Sequence, residues 1–383
     1  MNAMLKPLSQ LDQLAFADLV DKSHDAAFDA DFPANGTILK QMRGGRSYWY
    51  YRGYERPLAG GPGTSTLKYV GPADDPEIET RVARFGAIKS DYKVRRDLAA
   101  RLRRAGLPTP SLIEGKVAQA LADAGVFRLR ASLIGSVAYQ TYAGLLGVRF
   151  PDAQYRTGDL DLAQDYGVSI ALDDQVASLG DVLKAVDSSF VPTEQWQTPN
   201  VVSGFRNASG FKVEFLTTSR GRAEYQDRLA LMPALGGVGA QPLPFLDFLI
   251  REPVRSALLH DAGVGVVTPD PARFATHKLI VAVRRANRAK VRKDLTQAAT
   301  LIEALARGGA MSDLGLVWAE AFERGPSWRR SLAKGASALP DSAIETLKEA
   351  ALRVSGSGGA GFEQDRSPRE SLAAFLTEDD TSS

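Results

Sequence analysis

The run RTGDLDL at residues 156–162 places two aspartates on alternate positions of an otherwise apolar segment. In a β-strand, alternate side chains leave the same face, so Asp159 and Asp161 point one way while Leu160 and Leu162 point the other. Two half-buried carboxylates about 7 Å apart repel each other and lose hydration, so they need a compensating partner. The segment therefore predicts a strand with one buried apolar face and one acidic face, which is either open to water or occupied by something cationic.

Length and composition exclude several kinds of protein. The chain has 383 residues, which suits two or three domains rather than one small core. It has no cysteine, which excludes disulfides and thiolate metal sites, and only three histidines, which argues against a multi-histidine zinc site. The formal net charge of +2 is too small to identify a partner by itself.

The distribution of charge and aromatic residues is more informative. Basic residues cluster at 93–104 and 284–293, where they either contact phosphates or form solvated helix faces. The aromatic segment 45–72 predicts a hairpin of two strands, which either covers a core or stacks on bases. The chain contains neither a signal-peptide pattern nor an apolar run near 18 residues, so we expect a cytoplasmic protein without membrane partners.

Strand and helix signals alternate in the middle of the chain. A strand, a helix, a strand and a helix followed by a hairpin favour an α+β fold with an α/β-like unit and a mixed sheet. The predicted elements are a helix at 109–125, a strand at 126–134, a helix from Gly135, a strand at 157–164, a helix at 173–190, and hairpin strands at 200–207 and 211–218.

The flanking segments differ in composition from this core. Helical patterns precede it at 7–30 and 75–104, and the chain beyond Pro271 is helical to about residue 354. A glycine and serine run then predicts a flexible linker. The predicted domains are an N-terminal helix, hairpin and long-helix region at 1–108, a core at 109–271, a C-terminal helical domain at 272–354 and a flexible tail at 355–383.

Three sequence motifs together suggest a reaction. Gly135 and Ser136 stand between a strand end and a helix start, where free backbone N–H groups can bind phosphate oxygens. Asp159 and Asp161 lie on the next strand, and Glu214 within FKVEF offers a third carboxylate. Three carboxylates facing a phosphate site are what two-metal phosphoryl transfer requires, with Mg²⁺ or Mn²⁺ as the metal and the third carboxylate as a base toward the attacking hydroxyl.

These residues resemble the nucleotidyltransferase pattern of the DNA polymerase β superfamily: a Gly-Ser pair, an Asp-x-Asp strand and a third acidic residue. The run from Arg156 to Asp161 is similar to that of bacterial abortive-infection and toxin-type nucleotidyltransferases. The aromatic N-terminal hairpin and the His-Lys helix also resemble a sparsely characterised bacterial nucleotidyltransferase-like family. The resemblance covers roughly residues 110–306 and implies a nucleotidyltransferase fold that binds a nucleoside triphosphate (NTP).

The resemblance also implies roles in the C-terminal half. Lys278 would contact the triphosphate, Asp294 would lie near the site, and Arg156 would either meet a phosphate or pair with Asp159. Sixteen residues of straight helix span roughly 24 Å, too far for Lys278 and Asp294 to reach one nucleotide. We therefore predict a helix break between about Ala286 and Val291, with two antiparallel helices.

Several alternatives remain open at this point. The aspartate pair could be the wet face of an edge strand, Glu214 the partner of Lys212, and Lys278 and Asp294 surface helix residues. The resemblance is also imperfect, because the third acid is Glu rather than the commoner Asp and the gap between Ser136 and Asp159 is unusually long.

The expected activity is transfer of a nucleoside monophosphate (NMP) to an acceptor hydroxyl on an RNA or tRNA end or a protein side chain, with release of pyrophosphate. The alternatives are a catalytically silent nucleotide- or nucleic-acid-binding protein with the same fold, or the toxin component of a toxin–antitoxin or abortive-infection pair, with an antitoxin partner.

Overall fold

The computed structural model describes residues 5–26, 35–43, 45–55, 64–151, 158–172, 175–195, 198–219 and 228–356. Arg156 lies outside the described residues. The helices are α1 Gln10–Ala26, α2 Pro76–Arg104, α3 Leu112–Asp123, α4 Gly135–Leu145, α5 Tyr166–Ala171, α6 Leu179–Val186, α7 Leu246–Leu249, α8 Pro271–Arg284, α9 Arg288–Arg307, α10 Met311–Glu323, α11 Pro326–Ala336 and α12 Asp341–Gly356. The strands are β1 Lys6–Pro7, β2 Thr37–Arg43, β3 Arg46–Glu55, β4 Thr64–Pro72, β5 Ser132–Ile134, β6 Val148–Arg149, β7 Asp159–Gln164, β8 Val191–Gln195, β9 Thr198–Arg206, β10 Lys212–Thr218, β11 Ala230–Met232, β12 Val238–Leu243, β13 Val254–Leu258 and β14 Val264–Thr268.

A mixed sheet of seven strands forms the centre of the described fold and confirms the predicted α+β class. Its order is β11-β12-β10-β7-β5, with β9 pairing to β10 and β8 to β9. Strand β10 runs parallel to β7 and β12, whereas β5 is antiparallel to β7 and β9 is antiparallel to β10. The hairpin predicted from FRNASGFKV is therefore present as β9 and β10. Smaller antiparallel sheets pair β1 with β6, β13 with β14, and β3 with both β2 and β4.

The alternation seen in RTGDLDL is realised in β7. Leu160 and Leu162 are fully buried, whereas Asp159 and Asp161 are partly exposed. Full burial of a leucine side chain stabilises a fold by about 2 kcal/mol, so the apolar face fixes which way the strand points. A one-residue slip would bury both aspartates and expose both leucines, and the acidic face is therefore a direct consequence of the pattern.

Aromatic packing fixes helix α8 against helix α4. The Tyr139 and Phe274 ring centroids lie 6.2 Å apart, and Tyr142 and Phe274 lie 5.1 Å apart. Tyr142 Oη also donates a hydrogen bond of 2.9 Å to the Pro269 carbonyl, just before α8 begins. Because all three rings are buried, α8 has a defined position relative to the helix that follows β5.

The predicted break between Lys278 and Asp294 is confirmed, slightly earlier than expected. Helix α8 ends at Arg284, Arg285 is extended, and α9 begins at Arg288. The Asn287 side chain accepts hydrogen bonds from the backbone N–H groups of Ala289 and Lys290, which is the usual role of asparagine at a helix start. The two helices pack against each other, and the side chains of Lys278 and Asp294 meet.

Other predicted elements were wrong in extent. The strand expected at 126–134 is limited to β5, because the preceding residues form turns in which Arg130 has a φ of 65°. The N-terminal aromatic hairpin is a three-stranded sheet, because β2 precedes it. The helix expected at 173–190 is only α6, and the short helices α5 and α7 were not predicted. In the part of the chain that the structure describes, no helix has the length and apolarity needed to cross a membrane.

Candidate active site

The sheet register brings the predicted carboxylates onto neighbouring strands. Glu214 on β10 is in register with Asp161 on β7, and Lys212 is in register with Asp159. On β10, Val213 and Phe215 are buried on the opposite face, as the alternation predicted. Asp159, Asp161 and Glu214 therefore lie on one face of two adjacent parallel strands.

Gly135 joins this acidic face to the start of helix α4. It has a φ of +69°, and a Cβ atom there would lie 2.5 Å from Asp161 Oδ2, so both the conformation and the space require glycine. The residue at the cap position is Ile134, which pairs with Asp161 across the sheet and has no side-chain acceptor for the first N–H groups of the helix. The backbone of Gly135 and Ser136 thus lies beside the Asp161 carboxylate with its helix start uncapped by a side chain.

The electrostatics of Asp161 are unusual for an aspartate. Burial, followed by the nearby negative charges of Asp159 and Glu214, raises its pKa to about 7 from an ordinary value of 3.8. The positive charges of Lys278 and Lys290 act in the opposite direction without cancelling the rise. At neutral pH the ionised form of this carboxylate therefore lacks sufficient positive charge from the protein itself.

A divalent cation is one source of the missing positive charge. Carboxylate oxygens are the donors that Mg²⁺ and Mn²⁺ prefer, so the chemistry of Asp159 and Asp161 fits such an ion. Within the described ranges, however, no group of three or more acidic, histidine or cysteine side chains is arranged to hold a metal. Glu214 Oε1 instead lies 3.9 Å from Lys212 Nζ, and both side chains are about half exposed. The aspartate pair fits a cation, and the third carboxylate is turned toward a lysine.

Lys278 and Asp294 form a buried ion pair. Lys278 Nζ donates a hydrogen bond of 2.6 Å to Asp294 Oδ1, and Arg285 Nε lies 2.6 Å from Asp294 Oδ2. Both Lys278 and Asp294 are buried, so they are not the surface helix residues considered as an alternative. Two cations hold this carboxylate, and Asp294 positions Lys278 rather than facing open space.

Sequence reasoning did not single out two further lysines of α9. Lys290 contributes positive charge at Asp161, and the charges of Asp159 and Glu114 act on Lys293, whose pKa is lowered chiefly by burial. Residues three or four apart share a helix face, so Lys290, Lys293 and Asp294 are on the same side of α9. The spacing that places these three residues on one helix face was therefore present in KVRKD, within a segment that the sequence analysis described only as a basic run.

Comparison with known proteins adds a family. A family model described as "Nucleotidyltransferase" matches residues 113–323, which is more than half of the chain. The chain belongs to this nucleotidyltransferase family. The matched span contains β5, α4, β7 and β10, together with the α8 and α9 helices that carry the lysines.

Two further comparisons add little to this assignment. A crystal structure of an antigenic nucleotidyltransferase-like protein from Paracoccidioides brasiliensis is 15% identical, with 59% of this chain and 94% of that chain covered and a TM-score of 0.29. A similarity this low carries no argument. No curated protein matches the sequence.

Arginines of the first basic run, residues 93–104, form contacts within this nucleotidyltransferase. Arg101 Nε donates a hydrogen bond of 2.8 Å to Asp12, and Arg103 donates one of 3.3 Å to the Leu259 carbonyl. Arg95 is buried and donates to the Gly263 carbonyl. These contacts tie α2 to α1 and to the β13–β14 hairpin, so these three arginines of the run are explained by packing.

His277 precedes Lys278 on helix α8 of this nucleotidyltransferase. Burial, reinforced by the positive charges of Lys278 and Arg285, lowers its pKa to about 3. A histidine in this environment stays neutral at physiological pH and does not serve as a proton donor there.

Proposed function

We propose that this protein transfers NMP from an NTP to an acceptor hydroxyl at the face formed by Asp159, Asp161 and Glu214. The observation that carries the proposal is the close approach of Gly135 to Asp161, which sets an uncapped helix start beside a carboxylate with a raised pKa. The helix start favours negative charge and is suited to a phosphate, whereas the neighbouring carboxylates favour positive charge and are suited to a cation. The nucleotidyltransferase family match supports the same chemistry.

Each residue has a distinct task in this proposal. Backbone N–H groups at Gly135 and Ser136 hold phosphate oxygens of the NTP, and Lys278 supplies positive charge to the triphosphate. Asp294 accepts a hydrogen bond from Lys278 Nζ and so fixes the position of this ammonium group. Arg156, which precedes the acidic strand in sequence, is proposed as a further phosphate contact.

Asp159 and Asp161 would hold Mg²⁺ or Mn²⁺, and Glu214 would join them after leaving Lys212. When bound, the cation neutralises phosphate charge and makes the acceptor hydroxyl more acidic. Glu214 then accepts the proton of that hydroxyl as its oxygen forms a bond to the α-phosphorus. The bond between the α-phosphorus and the bridging oxygen breaks, and pyrophosphate leaves with that oxygen.

A silent nucleotide-binding protein is the second candidate. It is favoured by the contact between Glu214 and Lys212 and by the lack of a preassembled three-ligand metal site in the described part of the chain. Such a protein would bind NTP and release no pyrophosphate. As an enzyme, the protein would use an RNA or tRNA end or a protein side chain as its acceptor. A toxin component of a toxin–antitoxin pair would carry out the same NMP transfer.

The test is incubation with each α-labelled NTP and Mg²⁺ in the presence of total RNA or total protein. We expect label transfer and pyrophosphate release by the wild type, and loss of both in Asp161→Asn. Asp97→Asn, on the exposed side of α2, is the matched control and should retain activity. Transfer that survives Asp161→Asn contradicts the site, whereas binding of NTP without transfer by the wild type supports the silent alternative.

A further inference from the structure

A concave surface lies on the side of helix α9 that faces away from Lys290 and Asp294. It is a cavity of about 640 Å³ bounded by the outer face of α9, by Leu5 and Pro151, and by the α11–α12 connection at Ala338 and Pro340. We call it the outer groove. Its volume lies within the range of small-molecule and cofactor sites.

The periodicity of α9 separates the outer groove from the candidate active site. Arg288, Arg292 and Leu295 follow one another at intervals of three or four residues and line the groove. Lys290 is two residues from both arginines and Asp294 is two residues after Arg292, an offset that corresponds to roughly 200° around a helix. One helix therefore presents lysines to the acidic sheet face and arginines to the opposite side.

The lining of the outer groove is strongly polarised. Arg285 lies just before α9, Arg288 and Arg292 lie in its first two turns, and Glu303 lies about 22 Å along the helix from Arg288. Glu303 accepts a hydrogen bond of 2.7 Å from Ser342, so the acidic end already has a partner. The basic end differs, because neither Arg288 nor Arg292 forms an ion pair with a carboxylate among the described residues.

The walls between these ends are largely apolar. Val291 and Leu295 are partly exposed in the groove, and Pro151, Ala299 and Pro340 extend the apolar lining. The hydroxyls of Thr296 and Thr300 donate to the Arg292 and Thr296 carbonyls, and their oxygens add hydrogen-bond acceptors to the lining. A ligand that fits this lining has a multiply charged anionic end and a flat or apolar body of nucleotide size. Arginine side chains bind phosphate bidentately and also stack on planar rings, so they suit both parts.

We propose that the outer groove is a second binding site, for a nucleoside phosphate, separate from the donor NTP site. Its phosphates lie against Arg288 and Arg292, and its base lies on Val291 and Leu295. The inference goes beyond the proposed function, because it depends on the outer face of α9 and not on the acidic sheet face.

Arg285 connects the two sites. It lines the groove and holds Asp294, which in turn holds Lys278. An arginine has five N–H donors, and only Nε of Arg285 lies against Asp294, at 2.6 Å from Oδ2, so the same side chain is able to serve a phosphate as well. Binding in the groove is then expected to change NTP affinity at the donor site by the same factor in both directions.

The test counts nucleotide sites by equilibrium dialysis of the full chain with labelled ATP and Mg²⁺ at constant ionic strength. We expect two sites in the wild type, and at least a tenfold weaker Kd at one of them in R288Q/R292Q. R96Q/R330Q removes the same charge from other exposed helix positions and should keep both sites. Thr296→Phe narrows the groove without removing an arginine, and it should weaken the same site.

The outcomes separate this proposal from the function proposed above. One wild-type site that is lost in R288Q/R292Q supports the groove and argues against NTP binding at the acidic face. Unchanged ATP binding in both R288Q/R292Q and Thr296→Phe overturns the groove proposal. Weaker binding of a labelled oligoribonucleotide in R288Q/R292Q, with ATP binding unaffected, overturns it in favour of an RNA-docking surface.

Discussion

Two aspartates of this nucleotidyltransferase are enclosed by very different charges. Asp294 on α9 has Lys278 Nζ 2.6 Å from one oxygen and Arg285 Nε 2.6 Å from the other. Asp161 on β7 has two carboxylates as its main charged influences, and burial together with these raises its pKa. The first carboxylate has its compensating charge inside the protein, whereas the second does not.

The difference separates a structural ion pair from a site that binds a ligand. Removing one partner of a buried pair leaves an uncompensated charge and lowers the free energy of unfolding. A partly buried carboxylate with like-charged neighbours instead gains stability from a bound cation or a proton. The two aspartates should therefore respond to substitution with opposite signs of stability change.

The largest effect is expected for Asp294→Ala. It leaves Lys278 and Arg285 without their shared partner, so we expect the free energy of unfolding to fall by about 3–5 kcal/mol at pH 7. Urea denaturation followed by circular dichroism measures this change. Adding Lys278→Met to Asp294→Ala should recover part of the loss, because it removes the stranded buried charge. A loss below about 1 kcal/mol in the single variant would show that Asp294 is not held as the structure indicates.

The second prediction concerns Asp161→Asn and carries the opposite sign. In metal-free protein, the folded pKa near 7 exceeds the unfolded value of 3.8, so the native state keeps a proton that the unfolded state releases. The contribution of Asp161 to the free energy of unfolding is therefore fully present below pH 4 and is lost as the pH rises through 7. Asp161→Asn removes that loss, so it should be more stable than the wild type by about 2–3 kcal/mol at pH 8 and nearly equal at pH 4.

Urea unfolding with EDTA at pH 4, 6 and 8 measures the difference between Asp161→Asn and the wild type. Asp97→Asn serves as the control, because its side chain is exposed on α2 and should give a difference near zero throughout. A difference for Asp161→Asn that is independent of pH would show that Asp161 is ionised normally. In that case the comparison with Asp294 would lose its physical basis.

The third prediction tests the contact that joins helix α4 to the acidic strand. Gly135→Ala places a Cβ 2.5 Å from Asp161 Oδ2 at a φ of +69°, so both strain and a clash are expected. Gly309→Ala is a matched control, because Gly309 has a φ of +79° with open space around its Cβ position. We expect Gly309→Ala to lower the unfolding free energy by about 1 kcal/mol and Gly135→Ala by about 1–2 kcal/mol.

Activity separates Gly135→Ala from Gly309→Ala more clearly than stability does. Displacement of the Asp161 carboxylate should reduce NMP transfer at least tenfold in Gly135→Ala, whereas Gly309→Ala should keep wild-type rates. Label transfer from NTP under saturating Mg²⁺ provides the measurement. Equal activity in the two variants would mean that the contact between Gly135 and Asp161 has no part in the reaction.

Local patterns in the sequence predicted the acidic face well. The alternation of Asp159, Leu160, Asp161 and Leu162 specifies a strand with a definite inward face, and the helix break follows from the distance between Lys278 and Asp294. The first inference depends only on strand geometry. The second combines helix geometry with the resemblance, which implies that Lys278 and Asp294 lie near one nucleotide.

Features that depend on contacts distant in sequence were not predicted. Arg285 holds Asp294 across the break, and Lys290 acts on Asp161 from another element; neither relation has a local signature in the sequence. The same applies to strand β5, whose length is set by the turn at Arg130 rather than by its apolar residues. Residue spacing predicts which face of a helix or strand a side chain occupies. Which charges then lie next to each other depends on how the elements pack.

The smallest expected effect comes from Lys212→Met, which tests whether Glu214 belongs to the acidic site or to an ion pair. The Lys212 and Glu214 side chains are about half exposed and 3.9 Å apart, so breaking the pair should change the unfolding free energy by less than about 0.5 kcal/mol. Freed from this lysine, Glu214 should join Asp161, with which it is in register, and lower the Mg²⁺ concentration for half-maximal NTP turnover about twofold to threefold. Titration of Mg²⁺ in Lys212→Met and in Lys212→Arg, which keeps the charge, measures this shift. If both variants require as much Mg²⁺ as the wild type, Glu214 contributes little to cation binding, and the acidic site consists of the aspartate pair alone.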